Sequence, residues 1–276
     1  MPPSRKMIFV GFLTIATFSA APGSFAQEKN ENESQTRERG WSMADEYWDP
    51  EKMAQAREAV QKEHGATTAY FIQADRFEYR TNEGDPQFLW DAQGWYGGDK
   101  NKLWIKTEGE YAFEDDEFED AEVQALWSRA FARYFDVQAG VRHDFAPGDD
   151  RTFGVLGVQG LAPYWFEVDA AAFVSGDGDV SARVEVEYEL LLTQRLILQP
   201  RTELNFAVQD APRNGIGSGL STAEVGVRLR YEIKRELAPY IGVSWERAVG
   251  ETADLVRAGG EDPSSVSFVA GLRFWL

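Results

Sequence analysis

The sequence predicts an all-β fold: a transmembrane antiparallel β-barrel of about 12 strands with a short N-terminal helical extension. Three observations predict it. The first is alternation. Val180, Ala182, Val184, Val186, Tyr188 and Leu190 interleave with Ser181, Arg183, Glu185, Glu187 and Glu189, and the following segment sets Leu198, Thr202, Leu204 and Phe206 against Gln199, Arg201, Glu203 and Asn205. A side-chain period of two is the mark of a strand with one apolar and one charged face. In a soluble sandwich the apolar face is the core, whereas in a membrane barrel it meets lipid and the charges meet a wet lumen. The second observation is an asymmetry of the connections, and it favours the barrel. Ala132-Arg133-Tyr134, Ala162-Pro163, Thr193-Gln194-Arg195 and Lys234-Arg235-Glu236 are tight, while the connections at 114–117, 149–150, 175–179, 209–219 and 249–265 are acidic and several are long. Outer-membrane barrels have short periplasmic turns and longer outer loops. The third is the close of the chain, where Val266, Phe268, Ala270, Leu272, Phe274 and Leu276 alternate to the end and Trp275 is penultimate.

Element by element, Arg5 and Lys6 precede an apolar run from Met7 to Ala20, and Ser24-Phe25-Ala26 supplies a small-x-small cleavage site. Residues 1–26 therefore read as a secretory signal peptide. The stretch 27–40, QEKNENESQTRERG, is nearly free of apolar residues, so 27–47 reads as a flexible acidic and polar linker. A short helical periplasmic segment at 48–66 follows, with Asp49 as N-cap, Pro50 in the first turn and Gly65 as its stop. The barrel occupies 67–276. Its expected strands are 68–80, 87–96, 102–113, 119–131, 135–145, 152–161, 164–175, 179–192, 196–209, 220–233, 237–249 and 265–276. Irregular alternation predicts a bulge near 74–77, and the sixth segment (FGVLGVQG) is poorly phased.

A formal charge of −18, made more negative once Arg5 and Lys6 leave with the signal peptide, argues against nucleic acid and for cations as partners. The chain has no cysteine, which excludes disulfides, thiolate metal sites and a cysteine nucleophile. Aromatic residues reach 13 % while mean hydropathy is −0.43, a combination that aromatic girdles around a polar interior would produce.

The lumen-facing phase carries Glu108, Glu110, Glu122, Glu167, Asp169, Glu185, Glu187, Glu203, Glu224 and Glu246, with Arg142, Arg183, Arg201, Arg228, Arg230 and Arg273. Such rows form either a cation-selective path of hard oxygen ligands or a salt-bridged filling of the barrel. The two histidines are His64, at the helix C-terminus where a cation suits the dipole, and His143, on the lipid-facing phase of the fifth segment. Met43, Met53, His64 and His143 are the candidate metal ligands. Met53 and His64 share a helical face, but eleven residues at 1.5 Å each separate them by about 16 Å, too far to hold one ion. No catalytic motif is present, and only Ser175 with His143 could serve an outer-membrane hydrolase, so the expectation is a protein that is not an enzyme.

Several strings carry a resemblance: WDPEKMAQAREAVQKEHG at 48–65, GGDKNKLWIKTEGE at 97–110, LLLTQRLILQPRTELN at 190–205, GIGSGLSTAEVGVRLRYEIKRELAPYIGVSWER at 215–247, and the closing SFVAGLRFWL. With these the chain resembles the outer-membrane copper resistance protein B family over nearly all of 48–276. The resemblance implies a barrel in the outer membrane of a Gram-negative bacterium that binds or exports copper ions, working with a periplasmic multicopper oxidase or copper carrier. One departure stands out. Many members have a Met- and His-rich stretch before the barrel, suited to Cu(I) and Cu(II), whereas QEKNENESQTRERG has neither residue. A general cation or small-solute porin without copper selectivity is the alternative.

Overall fold

A computed structural model describes residues 47–64, 67–82, 85–114, 116–146, 150–211 and 215–276. The expected signal peptide, nearly all of the linker, and Met43 lie outside these residues. The N-terminal helix α1 (Pro50–His64) forms as the sequence predicts. Asp49 Oδ1 accepts hydrogen bonds from the backbone N–H of Glu51 (2.9 Å) and Lys52 (3.2 Å), the side-chain cap that free helical donors require.

The rest is one closed antiparallel sheet. Its strands are β1 (Ala69–Arg80), β2 (Gln87–Gly97), β3 (Asn101–Ala112), β4 (Glu117–Ala130), β5 (Phe135–Ala146), β6 (Arg151–Ala162) and β7 (Phe166–Ser175), followed by β8 (Val180–Glu187), β9 (Leu190–Leu191), β10 (Leu196–Ala207), β11 (Gly219–Tyr231), β12 (Leu237–Ala248) and β13 (Ser264–Trp275). Successive strands pair, except that β8 and β9 both lie against β10, and β13 returns to β1, so the sheet closes. The expected bulge is present. The pairing of β1 slips between Ala74 and Arg76 against β2 and between Ala74 and Glu78 against β13.

Four features depart from the sequence reading. The eighth stave is not one strand: β8 stops at Glu187 and resumes as β9. Opposite the gap stands Pro200 of β10, whose carbonyl accepts from Tyr188 N (3.1 Å) but which has no N–H to return. β8 and β9 thus share one stave, and the wall has twelve. The seventh strand begins at Phe166, after a tight turn in which Tyr164 and Trp165 both take φ of 68°. The long connection before β13 is partly helical, with α2 (Gly250–Gly259) ending at Gly260 in the left-handed region (φ 92°). Finally, β6 is regular. Phe153 and Val155 point inward and are buried, while Leu156 is 62 % exposed on the outer face. The segment looked poorly phased because both of its faces are apolar.

Outside the wall, uncovered aromatic side chains gather at both rims. Tyr70, Tyr96, Tyr134 and Trp165 stand at the end with the short turns, and Tyr79, Phe113, Phe118, Phe145 and Phe268 at the end with the long connections. Between them lie uncovered aliphatics such as Ile105, Leu156, Val225, Ile241 and Val243. An apolar band between aromatic girdles is the exterior that a bilayer-spanning barrel needs.

Candidate functional site

The period of two that turns Val184 and Val186 outward turns Arg183, Glu185 and Glu187 inward, and strand pairing then sets carboxylates side by side. Asp91 on β2 opposes Glu108 on β3, Glu108 opposes Glu122 on β4, and Glu122 opposes Asp144 on β5. A second run passes from Asp169 on β7 through Glu185 on β8, Glu203 on β10 and Glu224 on β11 to Glu246 on β12. Directly opposed like charges repel, so each run needs cations close by.

Most of those cations are arginines, and some reach across the interior. Arg183 of β8 contacts Glu108 of β3 (2.8 Å) and Glu122 of β4 (3.1 Å). Lys106 of β3 pairs with Asp169 of β7. Strands so far apart around the wall can touch only through the lumen. Glu78, fully buried, takes a bidentate grip from Arg228 (2.7 and 2.9 Å), a further bond from Arg80 (3.0 Å) and the hydroxyl of Tyr240 (3.0 Å). Around Glu224 stand Arg80 (3.1 Å), Arg76, Arg201 and Arg228 (each 3.7 Å). Arg201 holds Glu185 (2.6 Å) and Glu203 (2.7 Å), and Arg142 holds Glu122 (2.8 Å) and Asp144 (2.6 Å). Nearer the short turns, Arg230 and Arg273 share Glu189 at 2.7 and 2.5 Å. Ion pairs this deep cost desolvation, which only dense, well-aimed pairing offsets.

Open space remains at the short-turn end. A cavity of about 500 Å³ has Asp75, Asp91, Glu108, Glu167, Asp169, Glu185 and Glu187 on its walls and extends to Arg133 and Tyr134 of a tight turn. Glu167 also borders a neighbouring cavity of about 320 Å³ with Glu189, Glu232, Arg230 and Arg273.

The structure places the predicted residues as follows. The acidic set Glu108, Glu110, Glu167, Asp169, Glu185, Glu187, Glu203, Glu224 and Glu246, and the basic set Arg183, Arg201, Arg228 and Arg230, all lie on lumen-facing strand positions. The soft-ligand candidates are not gathered. His143 sits on the outer face, where Nδ1 shares a 2.8 Å hydrogen bond with Thr152 Oγ1 and the ring meets Phe145 edge-on. Met53 lies on α1, as does His64. Among the described residues, no group of three or more His, Cys, Asp or Glu is set to hold a metal ion. Ser175 faces the lumen, where Oγ accepts from Asp179 N (3.0 Å), so it and His143 occupy opposite faces of the wall.

Sequence reasoning missed Asp91 on β2, and it missed Arg76, Glu78 and Arg80 because the bulge at Asp75 shifts the phase of β1. The signal was there, since Arg76, Glu78 and Arg80 alternate with Phe77 and Tyr79. It also missed an apolar sector inside the lumen, made of Leu126, Phe153, Val155 and Phe173 with Trp104 and Ala171 packed on it.

The family described as "Copper resistance protein B precursor" matches residues 68–276. The chain is 45 % identical over 212 residues to copper resistance protein B of Escherichia coli, covering 77 % of this chain and 71 % of that protein. It is 46 % identical over 210 residues to a copper resistance protein B homolog of Pseudomonas syringae pv. tomato (strain ATCC BAA-871 / DC3000), covering 76 % and 70 %. Among solved structures, the NanC porin aligns with a TM-score of 0.49 at 15 % identity, covering 75 % of this chain and 99 % of the porin. The KdgM porin aligns at 0.44 and 12 %, covering 74 % and 98 %. With a closed barrel, an apolar outer band and a family match over the whole wall, this chain is an outer-membrane β-barrel that belongs to the copper resistance protein B family.

Proposed function

We propose that the barrel serves copper resistance by binding copper ions as cargo in the acidic cavity at its short-turn end and passing them through the lumen for export. The short-turn end faces the periplasm in this reading, and a periplasmic copper carrier or multicopper oxidase delivers the ion. Met43, Met53 and His64 are the soft donors ahead of the barrel. The observation that carries the proposal is the pair of carboxylate runs leading out of the cavity, Asp91 to Asp144 and Asp169 to Glu246. Carboxylate oxygens suit a divalent, hard cation, so Cu(II) is the favoured state. Passage requires the arginine lattice around Glu78 and Glu224 to exchange partners, because its ion pairs span the lumen.

A second reading, a cation porin without copper selectivity, is favoured by one observation. The lumen candidates are all carboxylates, and the single described histidine of the wall faces outward. Copper accumulation and tolerance in cells with and without the protein, alongside bilayer conductance of Cu²⁺ and Mg²⁺, separate the two. Faster copper loss with the protein and a Cu²⁺ preference support export. Unchanged accumulation defeats it, and equal Cu²⁺ and Mg²⁺ conductance establishes the porin reading.

A further inference from the structure

The short-turn cavity has two unlike stretches of wall, which meet where Leu161 of β6 opposes Glu167 of β7. One carries Trp104, Leu126, Leu161, Ala171 and Phe173. Leu126 and Phe173 are backed by Phe153 and Val155, so this apolar surface is the inner face of a packed cluster. The Trp104 ring is held in place, with Nε1 donating to Gln93 Oε1 at 3.2 Å. The other wall carries Glu167 and Glu187, which oppose each other directly on β7 and β8. Among the described residues neither forms a salt bridge, although both feel the charge of Arg273. That guanidinium is taken by Asp75 (3.1 Å) and Glu189 (2.5 Å). The adjacent opposed pair, Asp169 and Glu185, is served by Lys106 and Arg201. Glu167 and Glu187 are thus a like-charged cross-strand pair with no cation of the protein's own, an arrangement that repels itself until a cation arrives.

A hydrated metal ion would need the carboxylates and gain nothing from the apolar wall. A cavity of about 500 Å³ also falls within the volume range of small-molecule pockets, roughly 300–1,000 Å³. We propose that this cavity binds small organic cations bearing an apolar or aromatic face, the positive head against Glu167 and Glu187 and the face against Trp104 and Phe173. Aromatic walls stack on such a face at little entropic cost, and a carboxylate pair without a cation, Glu187 being held by a hydrogen bond from Gln199, selects its charge. The proposal rests on the two walls and does not depend on the copper reading.

Calorimetric titration of the full-length barrel in detergent, free of metal, tests it with benzyltrimethylammonium. Benzoate shares the ring but not the charge, and tetramethylammonium shares the charge but not the ring. The expected result is saturable binding of benzyltrimethylammonium with at least tenfold weaker binding of either control. The double variant Glu167→Gln/Glu187→Gln and the variant Trp104→Ala should each weaken it about tenfold, and Trp104→Phe should retain most of it. Folding of each variant is read from the mobility shift of the unheated barrel in electrophoresis, and Trp104→Leu, which keeps bulk but not the ring face, replaces Trp104→Ala if the latter does not fold, with the same tenfold loss expected. No binding, equal binding of benzoate or tetramethylammonium, or affinity indifferent to both walls overturns the proposal. Copper conductance is measured separately, so loss of the export reading leaves this result standing.

Discussion

Glu78 shows most plainly what a single lumen residue does. It is fully buried, and its two oxygens meet Arg228, Arg80 and Tyr240. Removing one partner of a buried ion pair strands the other, at a cost of about 3–5 kcal/mol. Glu78→Gln should therefore lower the unfolding free energy of the refolded barrel, read from urea titration, by that amount, and Tyr240→Phe by about 1 kcal/mol, the net worth of one hydrogen bond. Similar losses for the two variants would mean that Arg228 and Arg80 find other carboxylates, with Glu224 the nearest alternative at 3.7 and 3.1 Å. His143 is the contrasting case. Its position on the lipid-facing phase follows from counting along β5, and its hydrogen bond to Thr152 leaves it beside the wall rather than on a pathway.

Among the elements, the connections at the long-loop end behave as a docked pair. Gly217 N donates to Thr252 Oγ1 of α2 at 2.9 Å, Ser218 Oγ bonds Glu251, and Ser218 N donates to Asp210 at 2.7 Å. A Cβ at Gly217 would lie 2.5 Å from the Glu251 side chain and 2.6 Å from the Thr252 backbone. Gly217→Ala should consequently undock α2. Limited proteolysis would then cut within 208–219 or 250–259 faster than in wild type, while the barrel keeps its electrophoretic shift. The same clasp is sensitive to acid. The hydrogen bond from Ser218 N lowers the Asp210 carboxyl below its ordinary value, so its contribution is whole above about pH 4 and is lost as pH falls through the lower folded value. Proteolysis of this loop should accelerate below that window, and Asp210→Asn should remove the pH dependence. β1 offers a test of its bulge. Deleting Asp75 would make Ala74 and Arg76 consecutive against Ala92 and Asp91 and leave every face unchanged, so the barrel should still close and keep its electrophoretic shift while losing the contacts of Asp75 with Arg273 and Gln93.

For the molecule as a whole, the balance of charge governs what the lumen admits. Part of the acid surplus, visible in a net charge of −18, lines the short-turn cavity, where Glu167 and Glu187 lack salt bridges. Replacing Asp169, Glu185 and Glu187 with their amides should lower the cation-to-anion permeability ratio in planar bilayers several-fold, and the difference should shrink as salt rises from 0.1 to 1 M, where the screening length falls from about 10 to 3 Å. A ratio unchanged by all three substitutions would place the selectivity of the lumen elsewhere, with the arginines around Glu224 as the first candidates.

The sequence by itself determined the stave count to within the Pro200 interruption, the inward and outward phase of nearly every strand after β1, and the split between short and long connections. These follow from local rules, since a period of two and a turn residue need no knowledge of distant partners. The bulge near Asp75 was also legible as a fault in alternation, although the residues beyond it, Arg76, Glu78 and Arg80, were not placed. What only the tertiary structure decided is how the inward residues meet. Arg183 with Glu108 and Glu122, or Arg228 with Glu78, join positions 61 to 150 residues apart, and only closure of the sheet brings them within bonding distance. The apolar sector of Leu126, Phe153 and Phe173 was hidden for the opposite reason. On a strand with apolar residues on both faces, alternation carries no sign of which face is wet, and only the closed wall sets one of them inside.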